Sequence, residues 1–251
     1  MAVATPAPVV PKPADADVPA VGKLPETDAG LPGAGPIRRY DWFKNLWRTR
    51  RVAWAGRVGQ DQGAVVFVGD SITQGWGDTM GNSFPGLKVA NRGISGDTSR
   101  GVLIRLKEDV IDLHPRAVVI LIGTNDIEEE ADPETIADNM KLILAQLKAA
   151  DPNMPIILCR VFPSSASKHR PKGKITQLNA LYMDLAKSDP QVTMVDTWTP
   201  FADENGDAKV SEFPDLLHPN AAGYAEWADL LRPVFVRLNL MSFAAPAAEP
   251  R

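Results

Sequence analysis

Short uninterrupted apolar runs alternate along this chain with stretches in which apolar residues recur every three or four positions. The run Ala64-Val65-Val66-Phe67-Val68, ending at Gly69, carries no polar residue on either alternation. That is the mark of a parallel strand buried on both faces. Ala117 to Ile122, Pro155 to Cys159 and Val192 to Val195 read the same way, and Leu87 to Ala90 is a weaker fifth run suited to an edge. Between them lie helical stripes. Asp132-Pro133 offers an N-cap and a first-turn proline, followed by Ile136, Met140, Ile143, Leu144 and Leu147 on one face. Ile175, Leu178, Leu181, Tyr182 and Leu185 form another stripe. Trp227, Leu230, Leu231, Val234 and Phe235 form a third, with Pro219 placed to open that helix. Further helices are predicted over Ser99 to Ile111 and over Tyr40 to Val58, the latter with Phe43, Leu46, Trp47 and Trp54 on one side.

Strand–helix alternation at this spacing predicts a parallel sheet with helices on both faces. The ends of the chain are different material. Residues 1–36 are crowded with proline and alanine and lack periodic apolar positions, which predicts an extended, mobile tail outside the core. The last residues, 241–251, share that composition and are expected to fray. One folded domain over 37–240 is left between them.

Composition narrows the function classes. Of 251 residues 44% are hydrophobic and 23% charged, as in soluble globular proteins. A net charge of −4 and a pI near 5.5 argue against nucleic acid or an anionic membrane as main partner. No apolar stretch approaches the ~18 residues of a membrane span. The single cysteine, Cys159, excludes an intrachain disulfide and, in its apolar run, reads as a buried inert thiol. No signal peptide is visible, yet a proline/alanine tail can follow a removed one, so both export and a cytoplasmic location stay open.

In open parallel sheets, sites form beyond the carboxyl ends of the strands. Gly69-Asp70-Ser71, Asn91 through Gly96, and Gly123-Thr124-Asn125 each follow a predicted strand, and Asp215-Leu216-Leu217-His218 precedes the last helix. Ser71 at a sharp strand-to-helix turn suits a nucleophile, with its own backbone amide aimed at a developing oxyanion. Gly96 can offer a second amide and the Asn125 side chain a third donor. His218 is the candidate base, and Asp215, three residues earlier, can orient its ring. The other two histidines fit less well: His114 lies at the opposite end of the sheet, and His169 in a polar, exposed loop. Alone, each of the four segments is an ordinary turn. In this order, at one rim, they form a serine-hydrolase set. Thr73 stands where the G-x-S-x-G elbow of α/β-hydrolases has its second glycine, which points away from that fold. Neither a G-x-G-x-x-G nor a G-x-x-x-x-G-K-[ST] follows the first strand, and no metal-ligand spacing is present, so no cofactor or metal is expected.

Ser71, Gly96, Asn125 and His218, with Asp215, resemble the four blocks that give the GDSL/SGNH hydrolase family its name. Asn91-Arg92-Gly93-Ile94-Ser95-Gly96-Asp97, then His218-Pro219 with Gly223-Tyr224, resemble its platelet-activating-factor acetylhydrolase-like branch. The resemblance implies a three-layer α/β/α, flavodoxin-like fold on a five-stranded parallel sheet, and metal-independent hydrolysis of short acyl esters. The expectation is a serine esterase acting on small acyl esters, in particular acetylated carbohydrate. Trp76 and the loop from Phe162 to Pro171 are its candidates for lining the pocket. A lysophospholipase or thioesterase, an acyltransferase, and a non-catalytic interaction protein on the same fold are the competing readings. Oligomeric state is not legible.

Overall fold

The structure is a computed structural model and describes residues 20–242. A 3-10 turn at Ala20–Gly22 precedes the first α-helix, α1 (Asp41–Ala55), which is followed by a single turn, α2 (Val58–Asp61). The strands are β1 (Val65–Gly69), β2 (Val89–Gly93), β3 (Ala117–Leu121), β4 (Ile156–Cys159) and β5 (Val192–Val195). Interspersed are α3 (Ser71–Gly75), α4 (Ser99–Asp109), α5 (Thr124–Glu128), α6 (Pro133–Ala150), α7 (Lys172–Lys187) and α8 (Ala221–Arg237). All strand pairings are parallel, in the order β2-β1-β3-β4-β5. This is the flavodoxin-like order, with its switch point between β1 and β3.

Side-chain alternation divides the core into two layers. Val66, Val68, Val118, Ile120, Ile156 and Leu158 face one way, onto apolar residues of α4, α6 and α7. Val65, Phe67, Val119, Leu121, Ile157 and Cys159 face the other, onto Trp76, Phe84 and the Trp227–Leu231–Phe235 stripe of α8. Register then sets the rim. Gly69 pairs with both Gly93 and Leu121, so β1, β2 and β3 end at one level and the segments that follow them start from a common edge.

Local corrections to the sequence reading have simple causes. The weak strand starts and ends later than its apolar run because polar Asn91 and Arg92 pair with β1 as edge-strand residues. Pro219 precedes α8 instead of opening it; Asn220 is the N-cap and its side chain accepts from Gly223 N at 3.1 Å.

The larger correction concerns the Pro/Ala-rich segment. Residues 1–19 and 243–251 lie outside the described residues, but 20–36 do not form a tail away from the core. Leu24 and Ile37 are buried with Phe43, Trp47, Trp54 and Ile94 in a third apolar cluster. Arg100 donates to Pro32 O (3.2 Å), Gly35 O (2.9 Å) and Asp28 Oδ2 (2.6 Å). Asn139 brackets Ala34, accepting from its amide at 3.0 Å and donating to its carbonyl at 2.8 Å. Beyond a 3-10 turn at Ala20–Gly22, this segment without hydrophobic period forms no helix or strand. Here distant side chains satisfy its backbone instead. At the other end, Met241 packs against the second core layer. Among the described residues no helix is long and apolar enough to cross a membrane.

One buried ion pair lies where β1 and β2 end. Arg105, fully buried, donates from Nε to Asp97 Oδ2 at 2.8 Å and from Nη2 to Gly69 O and Arg92 O at 3.1 and 2.8 Å. Replacing Arg105 by methionine leaves a buried carboxylate unpaired, which is expected to cost about 3–5 kcal/mol in chemical denaturation. Adding Asp97→Asn should recover part of that loss. A loss below about 1 kcal/mol in Arg105→Met would show the pair to be incidental.

Candidate active site

Ser71 opens α3 immediately beyond β1, half-buried, and four contacts hold that short helix in place. Asp70 Oδ1 caps its start, accepting from Ile72 N at 2.9 Å. Asn91 Nδ2 donates to Thr73 O (2.7 Å), the Tyr224 hydroxyl to Ile72 O (2.8 Å), and Ser95 N to Gln74 Oε1 (2.8 Å). Gly93 is needed beneath it: a β-carbon there would sit 2.2 Å from Gln74 N and 2.8 Å from Asp70 O. The nucleophile candidate therefore rides on a helix with little room to shift.

His218 Nε2 lies 3.0 Å from Ser71 Oγ, and Nδ1 lies 2.7 Å from Asp215 Oδ2. A carboxylate can only accept, so Nδ1 carries the proton and the Nε2 lone pair faces the serine hydroxyl. Asp215 Oδ1 also accepts from its own turn, from His218 N at 2.7 Å and Leu217 N at 3.1 Å. Burial tends to raise this carboxyl, but the His218 amide, the His218 ring and the Leu217 amide together hold it below the ordinary carboxylate value. The turn is strained. Leu216 sits at φ +62°, in the left-handed region, and its carbonyl is held by Ser164 Oγ at 2.8 Å.

Gly96 adopts φ +84°, and a β-carbon there would meet the Trp42 ring at 2.5 Å. Its backbone amide makes no hydrogen bond among the described residues. Asn125 is buried, with Nδ2 donating to Asp97 O at 2.9 Å and Oδ1 accepting from Arg170 Nη2 at 3.1 Å. One bond thus ties Asn125 to the residue after Gly96. Asp126, next to it, caps α4: its carboxylate accepts from Ser99 N and from Ser99 Oγ.

The two proposed pocket aromatics belong elsewhere. Trp76 is buried against Phe67, Phe84, Tyr224 and Trp227, and Phe162 against Phe201, Phe213 and Trp227. Both complete the apolar layer under α8, where a large ring is worth more than at a wet rim. The exposed aromatics at the site are instead Tyr40 and Trp42, with ring centroids 6.3 Å apart and planes within 11°. They are the N-cap and a first-turn residue of α1, which periodicity marked only as a helix start. Arg170, beside Asn125, lies in the 162–171 loop that the sequence marks as a pocket candidate, though nothing in the sequence singles out that residue. His169 is exposed, as expected, and so is His114. Burial pushes the Cys159 thiol up to about 12, with Trp227 opposing, so it is inert at neutral pH. No group of His, Cys, Asp and Glu among the described residues could hold a metal ion.

A hydroxyl, an imidazole and a carboxylate in one hydrogen-bonded line, on the rim of this sheet, suit acyl transfer to water, and the molecule's relatives are carboxylic-ester hydrolases. The chain belongs to the GDSL-like Lipase/Acylhydrolase family, whose profile matches residues 67–226. It is 29% identical over 177 residues to platelet-activating factor acetylhydrolase IB subunit alpha2 of Homo sapiens, covering 69% of this chain and 76% of that protein. It is 27% identical over 132 residues to thioesterase 1/protease 1/lysophospholipase L1 of Escherichia coli, covering 49% and 61%. A GDSL-like lipase structure from Bacteroides thetaiotaomicron superposes with a TM-score of 0.66 at 29% identity, over 75% of this chain and 97% of that one.

Beneath Ser71 lies an unusual carboxyl. Asp70 is buried, and its Oδ2 has no hydrogen-bond partner among the described residues. Burial pushes it up to about 7; the Ile72 amide and Arg170 pull it down, while Asp97 and Asp126 push it further up. A carboxyl raised above its ordinary 3.8 keeps in the fold a proton that the unfolded chain releases. Its stabilising contribution is complete below about pH 4 and is lost as pH rises through 7. Asp70→Asn cannot titrate. From pH 4.5 to pH 8 its unfolding free energy should therefore gain on the wild type by a few kcal/mol. A difference flat across that range would show that Asp70 ionises like a surface carboxyl.

Proposed function

We propose that Ser71 is the nucleophile of a serine esterase, with His218 as general base and Asp215 as its orienting acid. The hydrogen-bonded line from Ser71 Oγ through His218 to Asp215 carries this reading. As the Ser71 oxygen attacks the ester carbonyl carbon, its proton passes to His218 Nε2, and Asp215 faces the resulting imidazolium. The carbonyl oxygen becomes an oxyanion, stabilised by the amides of Ser71 and Gly96 and by the free N–H of Asn125 Nδ2. His218 returns its proton to the departing alcohol as the C–O bond breaks. Water, deprotonated by the same nitrogen, then cleaves the acyl-enzyme, releasing the acid and restoring Ser71.

The preferred substrate in this reading is a short acyl ester, acetyl in particular, on a carbohydrate. The acetylhydrolase relative supports the acyl size. An open rim supports a bulky, polar alcohol: the side chains of His218 and Asp215 are 43% and 46% exposed. Tyr40 and Trp42, with Trp42 against Gly96, offer that alcohol an aromatic face of the kind sugar rings stack on. The thioesterase/lysophospholipase relative supports a second reading, hydrolysis of longer acyl chains by the same machinery.

Ser71→Ala should lose at least about 10³-fold in kcat on p-nitrophenyl acetate while keeping its melting temperature, because a half-exposed hydroxyl contributes little to packing. Undiminished turnover would sink the mechanism. Across p-nitrophenyl esters, kcat/KM should fall from acetate to octanoate; acetate as the poorest substrate would favour the longer-chain reading. Acetate release from an acetylated oligosaccharide tests the alcohol portion directly.

A further inference from the structure

Arg170 lies at the end of the loop after β4, buried, and its guanidinium meets four groups. Nη2 donates to Asn125 Oδ1 at 3.1 Å and to Glu128 Oε2 at 2.6 Å, Nε to Thr124 Oγ1 at 3.0 Å, and Nη1 to Lys168 O at 2.6 Å. The same Glu128 oxygen accepts from Arg38 Nη2, and Arg38 Nε donates to Glu129 Oε1 at 2.7 Å. Arg38 belongs to the segment leading into α1, upstream of the family-matched residues, and a β-carbon on Gly96 would lie 3.1 Å from its Nη1. Two ion pairs therefore link Arg38, which lies beside the Gly96 loop, through Glu128 to Arg170, and Arg170 in turn holds Asn125.

The chemistry of Asn125 makes this link consequential. An asparagine amide can turn end for end at little cost in shape, and only its neighbours decide which end faces the substrate. Arg170 can only donate, so it accepts nothing but the oxygen end. Asp97 O can only accept, so it takes one N–H of the nitrogen end. Both contacts fix the same orientation. One N–H of Nδ2 is left over, and it is the one the oxyanion requires.

We infer that Arg170 is a positioning residue for hydrolysis: braced by Glu128 and the Arg38 segment, it locks the Asn125 amide with its N–H toward the oxyanion. The inference rests on Asn125 acting as an oxyanion donor. Removing Arg170 leaves Asp97 O as the sole anchor, which a rotated or displaced amide satisfies poorly. Positioning the donor matters only once charge develops on the carbonyl oxygen, so the loss belongs to kcat and not to KM.

The test is steady-state hydrolysis of p-nitrophenyl acetate by Arg170→Met, Arg170→Lys, Glu128→Gln, Asn125→Ala and the double variant Asn125→Ala/Arg170→Met, with melting temperatures alongside. Asn125→Ala should lose about 10²–10³ in kcat. Arg170→Met should lose about 10–10² with KM within about two-fold, and in the Asn125→Ala background it should lose less than about two-fold more, since residues acting as a unit do not add. Arg170→Lys keeps the charge but cannot span Thr124, Asn125 and Glu128 together, so it should recover only part. Glu128→Gln, at a partly exposed position, should fold if Arg170→Met does not, and should lose a few-fold in kcat. Full activity in Arg170→Lys, unchanged kcat in folded Arg170→Met, or an equal loss with and without Asn125 would each overturn the inference; if only Glu128→Gln folds, unchanged kcat there would overturn it. Undiminished kcat in Asn125→Ala would instead overturn the donor reading beneath it.

Discussion

The Arg105–Asp97 pair is the contact on which the geometry of the rim depends. Near the ends of β1 and β2 buried carbonyls need donors, and Gly69 O receives one from Ile94 N at 3.1 Å. One Arg105 nitrogen, Nη2, serves both Gly69 O and Arg92 O, while Nε is balanced by the Asp97 carboxylate. Gly69 stands two residues before Ser71, and Asp97 directly follows Gly96. The Asp97 carbonyl then holds Asn125. Three loops from three strands are thus referred to a single guanidinium. Burying two charges is expensive, and a hydrophobic replacement of both can match such a pair in stability. What an apolar pair could not supply is the directed contact with two strand ends and a third loop.

Against that fixed frame, the acid–base pair is built on different terms. Asp215 and His218 share one turn, and Asp215 accepts both from the His218 ring and from the His218 backbone. Their mutual geometry is therefore local and needs no distant packing, which is consistent with both being nearly half exposed. Only the placement of the turn against Ser71 is a tertiary matter. Ser164 contributes to it by holding the carbonyl of left-handed Leu216. The division suits the chemistry: donors for a developing charge must be pre-placed and dry, whereas a base that shuttles protons to an alcohol and a water must meet solvent.

How much of this was legible in the sequence follows from how local each determinant is. The strands were readable because burial on both faces leaves an unbroken apolar run, as in Val65 to Val68. The parallel order then placed Ser71, Gly96, Asn125 and His218 at one end without any knowledge of contacts. What periodicity cannot see is a side chain satisfying a distant backbone. Arg100 and Asn139 hold residues 32–35 across more than sixty positions, so a proline-rich segment that looked like a tail lies on the domain. Trp76 and Phe162 failed for the complementary reason. Proximity to a motif in sequence says nothing about which face of the sheet a ring falls on, and both fall on the apolar layer.

Charge beneath the site follows from the same frame. Asp70, Asp97 and Asp126 are all buried near the end of the sheet, and burial pushes them up to about 7, 6 and 6, respectively. Arg105 opposes that push at Asp97, and the Ser99 hydroxyl and amide oppose it at Asp126. Asp70 has only the Ile72 amide and the charge of Arg170 against it. An ionised carboxylate next to Ser71 would work against a negative charge developing on the substrate, in a region where water screens little. Arg170 is placed to act on both: its charge opposes that of Asp70, and its hydrogen bond orients Asn125. The residue that fixes the direction of one oxyanion donor thus also tempers the field of the nearest buried acid. A neutral replacement of Arg170 removes both effects, while lysine keeps the charge and removes mainly the orientation of Asn125, so the two variants separate geometry from charge at a single position.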